Sequence, residues 1–191
     1  MKKQSIETTT KFNQSALEPQ PMNKTKWVVM GVCGSGKTEV GQHLAAELGL
    51  SFIEGDRFHP AANIDKMSQG IPLNDEDRQT WLQTLQNELF NIQSGVLSCS
   101  ALKRSYRDIL RTNNPHLIFV HLHGNESLLS LRLNSRTGHF MPVSLLHSQL
   151  ADLQPLEQDE NGLTLDIQHT PDDLVQTILR TIIFHHPPAP L

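Results

Sequence analysis

Short apolar runs alternate with longer stretches of helical spacing along this chain. Residues 27–30, 51–54, 95–100, 117–122 and 163–167 are too short for helices and read as strands. The segments between them carry the 3.6-residue period. Val40, Leu44 and Leu48 form one apolar face over residues 39–48, with Gly49 as the stop. Residues 61–69 read as a short helix ended by Gly70, with Pro72 just beyond. Trp81, Leu82, Leu85, Leu89 and Ile92 make a core-facing stripe on a helix capped by Asn74, with Asp75, Glu76 and Asp77 in its first turn. Residues 101–111 open as a loop and become a basic helix. Residues 125–135 are helical, with Leu128, Leu131 and Leu133 apolar and Arg132 outward, and 144–153 form another helix. A final helix starts at Thr170-Pro171 and packs through Leu174, Val175, Ile178, Leu179 and Ile182. Strands alternating with helices predict an α/β fold around a mostly parallel sheet.

The ends of the chain carry no such pattern. Residues 1–25, with Thr8-Thr9-Thr10, scattered Gln and Asn and two prolines, read as a disordered arm. The folded domain spans 26–184, and Pro187-Pro188-Ala189-Pro190 lies in a flexible tail, 185–191. Lys2-Lys3 lacks the apolar stretch of a secretory signal. A net charge of -4 and a pI near 6.2 give no basic field for nucleic acid. No apolar run approaches the roughly 18 residues of a membrane span. The two cysteines, Cys33 and Cys99, suggest neither metal spacing nor a disulfide framework, which fits a reducing cytoplasm. None of the ten histidines lies in an H-E-x-x-H pattern. His121 and His123, alternating on a strand, and the tail pair His185-His186 read as surface or core residues.

The chemistry begins after the first core strand. Gly31-Val32-Cys33-Gly34-Ser35-Gly36-Lys37-Thr38 fits G-x-x-x-x-G-K-[ST] between a strand and a helix, the context a phosphate-cradling loop requires. Glycines let the backbone bend so that several N–H groups converge on a polyphosphate. The helix starting near Lys37 adds its N-terminal dipole. Lys37 is placed to reach the β- and γ-phosphates, and the Thr38 hydroxyl to ligate Mg²⁺. Asp56 and His59 follow the next strand. In open α/β sheets, ligands bind beyond the carboxyl ends of strands, so both belong beside the loop. Lys103 and Arg107, four apart on one helix face, are candidates for holding an anionic substrate. Arg78 either pairs with nearby acids or faces substrate. Arg132 and Arg136 mark residues 132–143 as a lid whose arginines stabilise charge on a transferring phosphoryl group.

These pieces together resemble the gluconokinases, small P-loop kinases related in fold to shikimate and nucleoside monophosphate kinases. Beyond the loop, the resemblance rests on Glu54-Gly55-Asp56 with His59-Pro60, then Asn63, Lys66-Met67, Gly70, Pro72-Leu73-Asn74-Asp75, Asp77-Arg78 and Trp81-Leu82. Cys99-Ser100-Ala101-Leu102-Lys103, Tyr106-Arg107-Asp108, Leu110-Arg111 and Arg136 with Gly138-His139-Phe140 complete it. One departure falls at Ser148-Gln149-Leu150, where the family pattern has an aromatic after Ser-Gln. The resemblance implies a P-loop NTPase fold, a three-layer α/β/α sandwich with a small lid. It implies phosphorylation of D-gluconate at its 6-hydroxyl by ATP and Mg²⁺, and a homodimer, although no stripe in the chain identifies a dimer surface. In that scheme Asp56 orients or deprotonates the hydroxyl and holds a Mg²⁺ water. His59 binds hydroxyls, Lys103 or Arg107 meets the carboxylate, and Lys37, Arg132 and Arg136 offset charge.

Two other readings compete. One is a different small-molecule kinase on the same scaffold, acting on shikimate or a nucleoside. The other is a nucleotide-sensing regulatory module, against which stands the lack of an N-K-x-D motif and of D-x-x-G just after the loop.

Overall fold

The computed structural model describes residues 8–11, 25–135 and 143–185. One six-stranded sheet forms its centre. The strands are β1 (Thr8–Lys11), β2 (Lys26–Met30), β3 (Phe52–Glu54), β4 (Gly95–Ser98), β5 (Ile118–His123) and β6 (Gly162–Asp166). They lie in the order β1-β6-β5-β2-β4-β3. All pairings are parallel except β1 with β6. The sheet reverses direction of growth at β2, which has β4 on one side and β5 on the other, so the crevice for a ligand opens above β2.

The helices are α1 (Lys37–Leu48), α2 (Ala61–Ser68), α3 (Asp75–Asn91), α4 (Arg104–Arg111), α5 (Glu126–Ser135), α6 (Val143–Asp152) and α7 (Pro171–His185). Two apolar layers sandwich the sheet. On one face Val29, Val96, Val120 and Leu165 pack with Val40 and Leu44 of α1, Leu129 of α5, Leu146 of α6 and Ile178 of α7. On the other, Val28, Met30, Leu97 and Phe119 meet Trp81, Leu85 and Leu89 of α3 and Leu110 of α4. Strand residues of alternating parity serve opposite layers because side chains alternate across a strand. Burial on both faces explains why these strands read as continuous apolar runs.

Local signals set the helix starts. The Asn74 side chain accepts from Asp77 N–H while Asp77 accepts from Asn74 N–H, a reciprocal capping box. Such a cap contributes about 1 kcal/mol. Thr170 caps α7 by accepting from Asp173 N–H. Leu131 departs from the expected stripe and is largely exposed.

The disordered-arm reading of 1–25 is corrected at Thr8–Lys11, which pairs antiparallel with β6 from Thr8↔Leu165 to Lys11↔Gly162. Without it, β6 would present a row of unpaired N–H and C=O groups, and a β-branched Thr-Thr-Thr run suits that edge. Of the expected lid, Arg132 to Ser135 belong to α5, while Arg136 and residues 137–142 lie outside the described residues. The tail beyond His185 does too. No helix among the described residues is long and apolar enough to cross a membrane.

Candidate active site

The turn after β2 bends through three glycines at positive φ, Gly31 (145°), Gly34 (79°) and Gly36 (91°). At Gly31 the need is also steric, because a Cβ there would stand 2.7 Å from the Leu122 carbonyl oxygen. Gly36 ends the loop as the N-cap of α1, and the first turn of any helix offers N–H groups without intrahelical acceptors. Lys37 folds back so that Nζ donates to the Val32 carbonyl at 3.1 Å. Thr38 is exposed at the helix start. Ser35 Oγ is buried with no hydrogen-bond partner among the described residues. Arg132 reaches the loop from α5. Its Nη2 donates to the Ile167 carbonyl at 2.6 Å, and its Nη1 would lie 3.8 Å from a Cβ at Gly36. It is half-buried over the loop rather than outward.

The turn after β3 brings Asp56. Residues Gly55–Phe58 form one turn of 3-10 helix packed so close to β4 that a Cβ at Gly55 would meet the Ser98 carbonyl at 2.3 Å. Trp81 Nε1 donates to the Gly55 carbonyl at 2.8 Å, which anchors this turn. The same indole stacks on the His59 ring, centroids 4.2 Å apart and planes 13° from parallel. Trp81 therefore does more than fill core: it holds the turn that carries Asp56 and the ring of His59.

The His59 tautomer follows from its neighbours. Asn63 Nδ2 donates to the Asp77 carbonyl at 2.7 Å and to His59 Nδ1 at 3.4 Å. An amide nitrogen cannot accept, so Nδ1 is the bare nitrogen and Nε2 carries the proton. Nε2 lies 4.0 Å from Asp56 Oδ1. Burial pushes the His59 pKa below its ordinary value; Asp56 opposes this and Arg78 adds to it. At neutral pH the ring is an uncharged donor.

Lys37, Asp56 and His59 line one open cavity, with Cys33, Arg78, Ser100 and Gln149 among the other walls. Ser100 reaches it on the loop after β4, held to the phosphate loop by Gly31 N–H donating to its carbonyl at 3.3 Å. Arg78 is a buried cation in that wall. Its Nη1 donates to Tyr106 Oη at 3.2 Å and Asp152 Oδ2 at 3.4 Å. Its Nε and Nη2 have no hydrogen-bond partner among the described residues. A cleft above the switch strand with a backbone anion nest, a lysine, a carboxylate, a neutral histidine and a buried arginine can bring a polyphosphate and an anionic alcohol together.

A family profile described as "Shikimate kinase" matches residues 33–183. The thermosensitive gluconokinase of Escherichia coli (strain K12) is 48% identical over 148 residues, 75% of this chain and 79% of that protein. The chain belongs to the gluconokinase family. A gluconokinase structure from Sinorhizobium meliloti 1021 superposes with a TM-score of 0.81 at 46% identity, covering 87% of this chain and 95% of that one. A shikimate kinase from Acinetobacter baumannii shares the fold at 19% identity and a TM-score of 0.59. The stretch matched by the shikimate kinase profile, residues 33–183, contains every residue lining the cavity.

Two of the expected substrate cations need correction within this gluconokinase fold. Arg107 is fully buried. Its Nε and Nη2 donate to both Glu160 oxygens at 2.6 and 2.8 Å. Its other protons go to the carbonyls of Leu102, Gln154, Pro155 and Ala101 at 3.0 to 3.3 Å. No donor remains for a ligand. It is a staple holding the loop after β4, including Ala101 at φ 44°, to the segment before β6. Lys103 stands in the adjoining hollow with Asp75, Glu76 and Asp152 rather than in the cavity. Its Nζ pairs with Asp75 at 2.5 Å and Asp152 at 3.4 Å. Those contacts raise its pKa, the Asp75 hydrogen bond most. Arg78 is the cation with donors to spare. The sequence carried a signal for it: position 78 lies on the same helix face as Trp81, Leu82, Leu85 and Leu89, and a charge on a core-facing stripe asks for a reason.

Proposed function

We propose that this protein transfers the terminal phosphoryl group of ATP to the 6-hydroxyl of D-gluconate, giving 6-phospho-D-gluconate and ADP. The observation that carries this is the convergence of Lys37, Asp56, His59 and Arg78 on one cavity beside the phosphate loop. The loop fits a triphosphate: its glycines form a backbone nest, α1 points its N-terminus there, and Ser35 Oγ is a buried polar group with no partner among the described residues. Gly31, Val32, Cys33, Gly34, Ser35, Gly36, Lys37 and Thr38 would surround the phosphates. The site also fits Mg²⁺, because Thr38 and Asp56 supply hard oxygen donors, Asp56 through a water. When bound, Mg²⁺ would neutralise phosphate charge and align the γ-phosphoryl group.

The protein's own groups account for the rest. Arg78 meets the gluconate carboxylate, and His59 Nε2–H donates to a hydroxyl. Asp56 accepts the proton of the attacking alcohol. The new O–P bond forms as the bond from the γ-phosphorus to the ADP oxygen breaks, and ADP keeps that electron pair. Lys37 and Arg132 offset the charge that grows on the phosphoryl oxygens, joined by Arg136 of the lid. Cys33 and Cys99 are buried and not joined in a disulfide, which supports action in a reducing cytoplasm. The family relationship supports a homodimer.

The test is a panel of D-gluconate, shikimate and a nucleoside monophosphate with purified protein, ATP and Mg²⁺, read by coupled ADP release. Turnover is expected with D-gluconate alone; turnover with another acceptor and none with D-gluconate overturns the proposal. In the same assay Asp56→Asn is expected to lower kcat by ~10² while ATP still binds. A near-normal kcat removes Asp56 as the base.

A further inference from the structure

One wall of the cavity comes from α6. On it Gln149 Oε1 accepts from the Cys33 backbone N–H at 2.7 Å, across 116 residues of chain. A backbone N–H only donates, so the carboxamide must turn its oxygen to the loop. Nε2 then keeps two protons, and among the described residues it has no hydrogen-bond partner. Gln149 is half-buried and lines the same cavity as Asp56, His59 and Arg78. A neutral two-proton donor beside a carboxylate and a neutral histidine suits hydroxyl oxygens. A lysine or arginine there would instead compete for phosphate.

We infer that Gln149 is a two-sided positioning residue, its oxygen fixing the phosphate loop at Cys33 and its amide protons holding polyol oxygens of the acceptor. The identity of that acceptor rests on the function proposed above. The contact makes α6 and the phosphate loop one unit, so the groups that hold the donor and the acceptor keep a fixed spacing. Misplacement of either substrate by even 1 Å slows transfer.

Two variants separate this from a plain structural tie. Gln149→Met is nearly isosteric and loses both sides of the contact. Gln149→Glu still accepts from Cys33 N–H but has no proton to donate. With D-gluconate, Gln149→Met is expected to raise KM by ~10-fold and lower kcat by a similar factor, the scale of one or two lost hydrogen bonds. Gln149→Glu is expected not to restore the KM. Restoration by Glu, or both variants within twofold of the parent, overturns the inference. The loop tie has its own readout, affinity for a non-hydrolysable ATP analogue by calorimetry, which needs no acceptor. Gln149→Met is expected to weaken it ~3-fold or more, and unchanged affinity overturns the tie. Failure of the parent itself to phosphorylate D-gluconate contradicts the acceptor assignment, while the calorimetry still decides the tie.

Discussion

The phosphate loop takes its shape from three glycines at positive φ, whereas the region between α3 and α4 takes its shape from a chain of charged side chains. In the first, backbone does the work, and the sequence must spell out where a Cβ is forbidden. In the second, Asp75 accepts from Lys103 and from Tyr106 Oη at 2.5 Å each, and Tyr106 in turn accepts from Arg78, which also pairs with Asp152. A few residues on, Arg107 and Glu160 form a closed buried pair, and Arg104 grips Asp159 at 2.7 and 2.8 Å. Backbone-coded function is local and readable. Charge-coded function depends on partners far along the chain.

That contrast is easiest to break at the loop. Lys37→Ala should reduce turnover by ~10³ or more while thermal stability barely moves, since among the described residues the Lys37 ammonium hydrogen-bonds only a loop carbonyl. Phosphoryl transfer and melting curves measured side by side check this. Strong destabilisation, or turnover close to the parent's, contradicts it.

Arg107→Met should do the reverse. It leaves the fully buried Glu160 carboxylate with the Glu157 N–H at 2.9 Å and Arg104 at 3.8 Å, and removing one partner of a buried pair costs about 3–5 kcal/mol. Denaturant unfolding should show that loss, and a second change, Glu160→Gln, should return part of it. The KM for gluconate of the protein that remains folded should stay near the parent's. A large KM rise with little loss of stability would return Arg107 to the substrate site.

His121 sharpens the comparison on the stability side. It is buried on β5, its Nε2 has no partner among the described residues, and burial holds its pKa down at about 4. The unfolded chain takes a proton near pH 6.5 and the folded chain only near 4. Stability therefore falls as the pH drops through that window, by at most about 3 kcal/mol from this residue. His121→Leu should flatten the slope between pH 6.5 and 4, and parallel curves for the two proteins would contradict it. Asp75 and Asp77, with pKa values lowered chiefly by Lys103 and Lys66, act in the same direction in both proteins.

Much of the fold was legible because each element carried its own signal. The apolar runs became β2 to β6, and Asn74 and Thr170 became the caps their spacing suggested. Strand β1 was not legible, since Thr8–Lys11 has no apolar face and its strand character comes from the open edge of β6. In the site, the loop, Asp56 and His59 could be placed by position alone, because the ends of parallel strands converge above the switch point. The choice between Arg78 and Arg107 could not. Both sit on amphipathic helices, and what separates them is Glu160, 53 residues beyond Arg107. Gln149 belongs to the Ser148-Gln149 pair of the family pattern, but its meaning appears only once α6 lies against Cys33.

The proposal that leans hardest on the geometry is that Arg78 reads a sugar-acid carboxylate, in the cavity it shares with Asp56 and Lys37. Its most direct test is the ratio of kcat/KM for D-gluconate to that for the uncharged six-carbon polyol D-glucitol, in the parent and in Arg78→Met. The parent is expected to prefer the acid strongly, and the ratio to fall ~10-fold to 10²-fold in the variant, the scale of a lost charge-assisted hydrogen bond. An unchanged ratio would contradict it.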